Sequence, residues 1–296
     1  MNLPKTAIIG ATGYIGRELF LLHRKLHPDC IGTYRNQEKE DLKHLDLLDC
    51  NIAPLNLAQT GYKDAIITAG VSKLYVCEQE KEYSTQITKG TLKLIEQLAK
   101  EGIKPIYISS DAVFDGHTGK YSDDARTNPL NEYGKQKDEI EKAIRKICGN
   151  NYLIARIGKV FTLEKGDGGI FDEMASILIS GGKIKAAHDQ IFSPTLLSDF
   201  LKAMSLLQAK KITGTFNISS PEVWSRYDLA LEVAKSLRIS PARVERVSLD
   251  DLQEIIVRPK NTSMNVQKFL KETGYKFTPI SECIKKIAKK WILTKG

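Results

Sequence analysis

The stretch TAIIGATGYIGRELFLLHRKL, residues 6–26, runs from an apolar segment through Gly10, Gly13 and Gly16 into an amphipathic helical pattern. A strand that passes into a helix through glycines at this spacing commits the chain to a βα unit. The first glycine permits a tight turn, the second lets backbone amides approach an anionic group, and the third allows strand and helix to pack closely. The helix N-terminus adds partial positive charge at the same point. With its flanking Thr12, Tyr14 and Ile15, the loop is the expected seat of a pyrophosphate and hence of a dinucleotide.

The pattern then repeats. Apolar runs at 30–35, 65–70, 106–111 and 151–161 alternate with helical stretches at 84–102 and 132–147. Strands separated by crossover-length helices pair in parallel and are covered on both faces. The expected fold is therefore α/β, a doubly wound parallel sheet of Rossmann type. Beyond Phe161 a polar loop, a helix at 170–182, an extended segment at 183–195, a helix at 196–211, a short strand at 214–220 and a helix at 225–237 predict a smaller α/β substrate-binding lobe. The expected boundaries are 1–162 plus about 190–218 for the dinucleotide domain, and 163–189 plus 219–296 for the lobe.

Composition excludes several alternatives. At 296 residues, 42% hydrophobic and 27% charged, the chain can bury a core and carries no disorder bias. The net charge of +8 is dispersed, except where Lys285, Lys286, Lys289 and Lys290 make the solvated face of an amphipathic helix. That dispersal suits small anionic ligands better than nucleic acid. Cys30, Cys50, Cys77, Cys148 and Cys283 form no CxxC pair, which points away from zinc sites and disulfides. No metal-loop spacing and no membrane-length apolar run occurs, and the N-terminus lacks a signal-peptide pattern, so a cytoplasmic protein is expected.

The end of the second strand tests which dinucleotide fits. An acid there holds the ribose hydroxyls of NAD, but this chain reads Thr33, Tyr34, Arg35. Without carboxylate repulsion, the Arg35 guanidinium suits the 2′-phosphate of NADP(H). Asp46 and Leu47 are expected to face the adenine, and Ala69 and Gly70 to end a strand beside the cofactor.

Ser109 and Ser110 close the strand at 106–111, and Tyr133 stands four residues before Lys137 on the next helix. Residues four apart share a helix face. An adjacent ammonium, together with a bound nicotinamide cation, is expected to acidify the phenol; moving it about three units from ~10 takes roughly 4 kcal/mol. A serine hydroxyl at the strand end can hold a carbonyl oxygen that gains negative charge as hydride arrives. Spacing alone leaves Ser109 and Ser110 both open for that role.

The segments GATGYIG, SSDAVFDG, NPLNEYGKQK, ARIGKVF, DQIFSPT, GTFNIS and RPKNTSMN resemble those of extended short-chain dehydrogenases/reductases, and within them the dTDP-4-dehydrorhamnose reductase family. The resemblance implies NADPH-dependent reduction of a 4-keto nucleotide sugar in carbohydrate biosynthesis. It implies Ser110 as the catalytic hydroxyl, Tyr133 as proton donor, and Lys137 as the residue that orients the nicotinamide ribose. It also implies substrate contacts from Asp111, Ala112, Lys159 and Arg258, the last a guanidinium before a rigid proline that could meet a diphosphate. Superfamily habit implies a homodimer. The chain departs from the family pattern at Ser110 (usually threonine), Ala112 (aromatic), Lys159 (tryptophan) and Phe192 (glycine). Two other readings remain: an epimerase or dehydratase that retains NAD, and a non-catalytic NADP-binding regulatory subunit resembling methionine adenosyltransferase beta. His188 and Asp189 are expected as loop residues, and Trp224 and Tyr227 as core of the second lobe.

Overall fold

The computed structural model describes residues 3–252 and 256–293. In chain order the elements are β1 (Thr6–Ile9), α1 (Tyr14–Leu26), β2 (Gly32–Tyr34), β3 (Leu42–His44), β4 (Asp64–Ile67), α2 (Leu74–Gln79), α3 (Lys81–Lys100), β5 (Lys104–Ser110), α4 (Glu132–Cys148) and β6 (Leu153–Ile157). There follow β7 (Val160–Phe161), α5 (Ile170–Ile179), β8 (Ile184–Ala187), β9 (Ile191–Phe192), β10 (Thr195–Leu196), α6 (Leu197–Ala209), β11 (Gly214–Ile218), β12 (Trp224–Ser225), α7 (Arg226–Ser236), β13 (Val244–Val247), α8 (Gln267–Thr273) and α9 (Ile280–Leu293).

A seven-stranded sheet ordered β11-β6-β5-β4-β1-β2-β3 forms the centre of the first compact unit. β1 pairs in parallel with β2 and β4, β2 with β3, and β4 with β5. Strand alternation sends Ala7, Ile9, Ala65, Ile67, Tyr107 and Ile154 to one face, where Leu94, Ile95 and Leu98 of α3 and Ile140 and Ile144 of α4 complete a core. Ile8, Ile66 and Ile106 are also fully buried and turn to the opposite face. The winding reverses between β1 and β4, so this is the switch point outside whose carboxyl ends open α/β sheets bind ligands. The expected doubly wound sheet is therefore present.

The first unit comprises 1–113, 127–156 and 201–216, and the second 114–126, 157–200 and 217–296. This division departs from the sequence boundaries: 114–126, 157–162, 190–200 and 217–218 join the second unit. Hydrogen bonds explain the difference. Tyr121 N donates to Ser263 O at 3.0 Å, Asn217 N to Asp123 Oδ1 at 2.6 Å, and Ile191 N to Lys260 O at 2.6 Å. None of these pairings is local in sequence, so a composition change at Phe161 could not reveal them.

In the second unit α5, α7 and α9 pack around Phe171, Met174, Leu229, Val233, Ile284 and Ile287, with the parallel pair β8 and β13 alongside. Trp224 and Tyr227 pack against this core, as expected. Phe192 is buried in it, which absorbs the missing family glycine by packing. Asp189 accepts hydrogen bonds from Leu249 N (2.6 Å) and Ser248 Oγ (2.8 Å) and pairs with Lys260 at 3.1 Å. It pins loops together and leaves no relay with His188.

Candidate active site

The glycine loop separates what the fold requires from what a ligand requires. Gly10 has φ +95°, and a Cβ there would lie 2.7 Å from Ala69 N. A Cβ on Gly16 would lie 2.1 Å from Gly10 O. Both positions are therefore closed to side chains by the protein itself. Gly13 is different: its φ is −75°, and an added Cβ would meet only Gly10 O at 3.5 Å, an ordinary contact. The fold does not demand glycine at 13, whereas close approach by a phosphate does. α1 begins there with no side-chain cap and no acid in its first turn, which suits an anion at that end of the helix. Thr12, Gly13 and Tyr14 are exposed, and Ile15 is partly buried. These features fit a dinucleotide.

Thr33, missed in the sequence, explains part of the loop's shape. It is buried at the end of β2, and its Oγ1 accepts from Gly10 N at 2.9 Å while its carbonyl accepts from Ala11 N at 2.8 Å. The next residues carry Arg35, whose Nε lies 3.0 Å from Asp46 Oδ1 and whose Nη1 donates to Tyr83 Oη. Asp46 is thus paired with the arginine, a partnership the adenine expectation did not include. Leu47 is buried, and its backbone presses on Gly90 of α3, where a Cβ would come within 1.7 Å of Leu47 O.

Alternation along β5 decides between the two serines. Ser109 Oγ donates to Glu141 Oε1 at 2.7 Å in a buried cluster, where Arg156 grips the same carboxylate at 2.9 and 2.7 Å and Arg145 joins it at 2.7 Å. The Ser109 side chain is thus engaged within this buried cluster. Ser110 instead lies close enough to Tyr133 that its hydroxyl pulls the phenol's pKa down. It also donates to Asp111 Oδ1 at 3.0 Å and accepts from Ala112 N at 3.1 Å. A bound carbonyl would have to win this proton from Asp111.

α4 is set down against this turn by two devices. Asn131 caps the helix, its Oδ1 accepting from Gly134 N at 2.9 Å. Gly134 itself lies so close to Ala112 that a Cβ would be 2.2 Å from Ala112 O. The glycine after Tyr133 therefore sets the distance between helix and serine turn. A glycine in the first turn of a helix, where it is unfavourable, was the signal available in the sequence.

Lys137 Nζ donates to Ile108 O at 3.0 Å and lies over two rings, 4.7 Å from the centroid of Tyr107 and 5.7 Å from that of Tyr133. Burial lowers its pKa to about 8, against the opposing pull of Cys77 and Glu141. Tyr133 moves the other way. Burial raises its phenol to about 12, only partly offset by the nearby Ser110 hydroxyl. The expected acidification invoked a bound nicotinamide cation as well as the ammonium; without ligands, burial dominates and holds the phenol above its ordinary value. Ala69 and Gly70 join Tyr107, Tyr133 and Lys137 in lining one cleft of the first unit. Lys159 and Arg258 belong to the second unit, and both are exposed. Among the described residues, no group of three or more His, Cys, Asp or Glu could hold a metal ion, and no helix is long and apolar enough to cross a membrane.

A family model described as the RmlD substrate binding domain matches residues 4–292. The chain belongs to that family. It is 28% identical to methionine adenosyltransferase 2 subunit beta of Rattus norvegicus, over 90% of this chain and 83% of that protein. A crystal structure of a hypothetical dTDP-4-dehydrorhamnose reductase from Sulfolobus tokodaii superposes with a TM-score of 0.83, 26% identity, and coverage of 94% and 98% of the two chains. A dTDP-4-dehydrorhamnose reductase from Bacillus anthracis in complex with NADP superposes at 0.77, with 22% identity and 99% and 100% coverage. Family and fold agree with the resemblance read from the motifs.

Two outcomes follow from the geometry. Gly16→Ala is expected to destabilise the protein by about 1–3 kcal/mol in urea denaturation, while Gly13→Ala stays within ~0.5 kcal/mol and weakens dinucleotide binding measured by calorimetry. In ¹⁵N-lysine NMR, Lys137 should titrate near pH 8. Because a facing ring favours the charged form, Tyr107→Leu should lower that value further and Tyr107→Phe should preserve it.

Proposed function

We propose that the protein is an NADPH-dependent reductase of a nucleotide-linked 4-keto sugar. The observation that carries this reading is that Tyr133 and Lys137 line one cleft with Ala69 and Gly70 in the unit that holds the glycine loop, with the Ser110 turn set against the same helix by the close approach of Gly134 to Ala112. The loop amides, Arg35, Ala69, Gly70 and Lys137 are the residues that would hold the dinucleotide. When bound, it supplies the hydride.

The protein's own part is proton and charge management. Ser110 turns its proton from Asp111 to the carbonyl oxygen and stabilises the charge that develops there. Tyr133 donates the proton that completes the alcohol. A phenol held above its ordinary value by burial carries its proton at neutral pH and is ready to give it. Lys137, mostly protonated below pH 8, directs a cation at the ribose side of the cleft. Arg258 is proposed for the sugar diphosphate, and Lys159 for the sugar itself at a position where relatives carry tryptophan; the positive net charge of +8 suits such an anionic substrate.

The similarity to methionine adenosyltransferase 2 subunit beta supports a second reading, a dinucleotide-binding regulatory subunit. Retention of Ser110, Tyr133 and Lys137 favours catalysis over it. The test is incubation with NADPH and a panel of 4-keto nucleotide sugars, followed by absorbance and product analysis. Tyr133→Phe should lower the rate at least ~100-fold with NADPH affinity unchanged. Absence of turnover across the panel, with a stoichiometric enzyme partner recovered on purification, would instead support the regulatory reading.

A further inference from the structure

The end of β2 carries a feature that the proposed reaction does not use. Arg35 is held from two sides: Asp46 Oδ1 lies 3.0 Å from its Nε, and Tyr83 of α3 accepts from Nη1 with its ring centroid 5.4 Å from the guanidinium carbon. The Arg35 and Asp46 side chains are about 30% exposed, at 31% and 28%. Neither is sealed in the core, and neither is free in solvent. Asp46 is itself fixed, since the same Oδ1 accepts from Leu48 N at 2.9 Å, and Leu45 N donates to Tyr34 O at 2.9 Å just before it. Two residues before Arg35, Thr33 holds the amide of Gly10. The strand end that carries Arg35 is therefore tied to the same turn that would receive the pyrophosphate.

The electrostatic consequence is specific. A guanidinium alone at this position attracts a 2′-phosphate, but a carboxylate 3.0 Å from it repels that phosphate and offsets its charge. An unphosphorylated ribose meets no such penalty, because a carboxylate accepts hydrogen bonds from hydroxyls. Tyr83 acts differently: as a neutral acceptor it orients the guanidinium without cancelling its charge.

We propose that Asp46 and Tyr83 set the dinucleotide preference of this chain, Asp46 by weakening and Tyr83 by strengthening the hold of Arg35 on a 2′-phosphate. The inference rests on the dinucleotide reading of the glycine loop but not on the keto-sugar chemistry, and binding alone tests it. Dissociation constants for NADP⁺ and NAD⁺ would be measured by calorimetry on the full chain and its variants. Asp46→Asn is expected to tighten NADP⁺ about tenfold and to leave NAD⁺ unchanged or weaker. Tyr83→Phe should weaken NADP⁺ about threefold with NAD⁺ unaffected, and Arg35→Met should abolish the preference for NADP⁺. Should Asp46→Asn fold poorly, Asp46→Ser retains an acceptor for Leu48 N and should shift the ratio in the same direction. An NADP⁺ to NAD⁺ ratio that is unmoved or reversed in the Asp46 variants overturns the proposal, as does failure of the wild type to bind either dinucleotide. A shifted ratio in a protein that turns over no keto sugar would support this inference and count against the reductase reading alone.

Discussion

The carboxylate of Glu141, with no exposed surface, holds Ser109 on β5 and Arg156 on β6 from the inner face of α4. Burial alone would keep that carboxyl protonated; the Arg156 guanidinium, with Ser109 and Arg145, brings it below its ordinary range instead. Breaking such a pair from one side typically costs about 3–5 kcal/mol, so the helix has one stable seat on the sheet. Lys137 lies one turn before Glu141 and Tyr133 one turn before that, on the same face. The buried ion pair therefore fixes where the lysine and phenol come to rest, and the close approach of Gly134 to Ala112 brings the serine turn up to them.

Within that seat the same burial acts on the two titratable groups in opposite senses. It removes water from the ammonium of Lys137 and lowers its pKa to about 8, and it removes water from the phenol of Tyr133 and raises its pKa to about 12. Both shifts favour the neutral form, as desolvation must. The phenol remains a proton donor across the physiological range, while the lysine stays cationic only below its lowered pKa. Lys137 itself is held in place by Ile108 O and the faces of Tyr107 and Tyr133.

Much of this was legible in the sequence because it is written in local patterns. The glycine spacing, the strand and helix alternation, and the four-residue step from Tyr133 to Lys137 are read without knowledge of tertiary contacts. Gly13 is the most informative of these, since the structure gives the fold no reason for a glycine there. What escaped was non-local. Arg156 inside an apolar strand demanded a buried partner, but nothing in its neighbourhood named Glu141, fifteen residues earlier. The pairing of Arg35 with Asp46 and Tyr83, and the assignment of residues 114–126 to the second unit, depend on chain segments that meet only after folding. The desolvation of the phenol is likewise non-local: sequence shows the neighbouring charge but not the water that burial removes.

The most direct test of the central claim is a spectrophotometric titration of tyrosinate formation in the protein without cofactor, taken as the difference between wild type and Tyr133→Phe. A Tyr133 phenol that ionises near pH 12, well above an ordinary tyrosine, is the expected result. Ionisation near neutral pH would contradict it and restore the ammonium as the dominant influence on the ring.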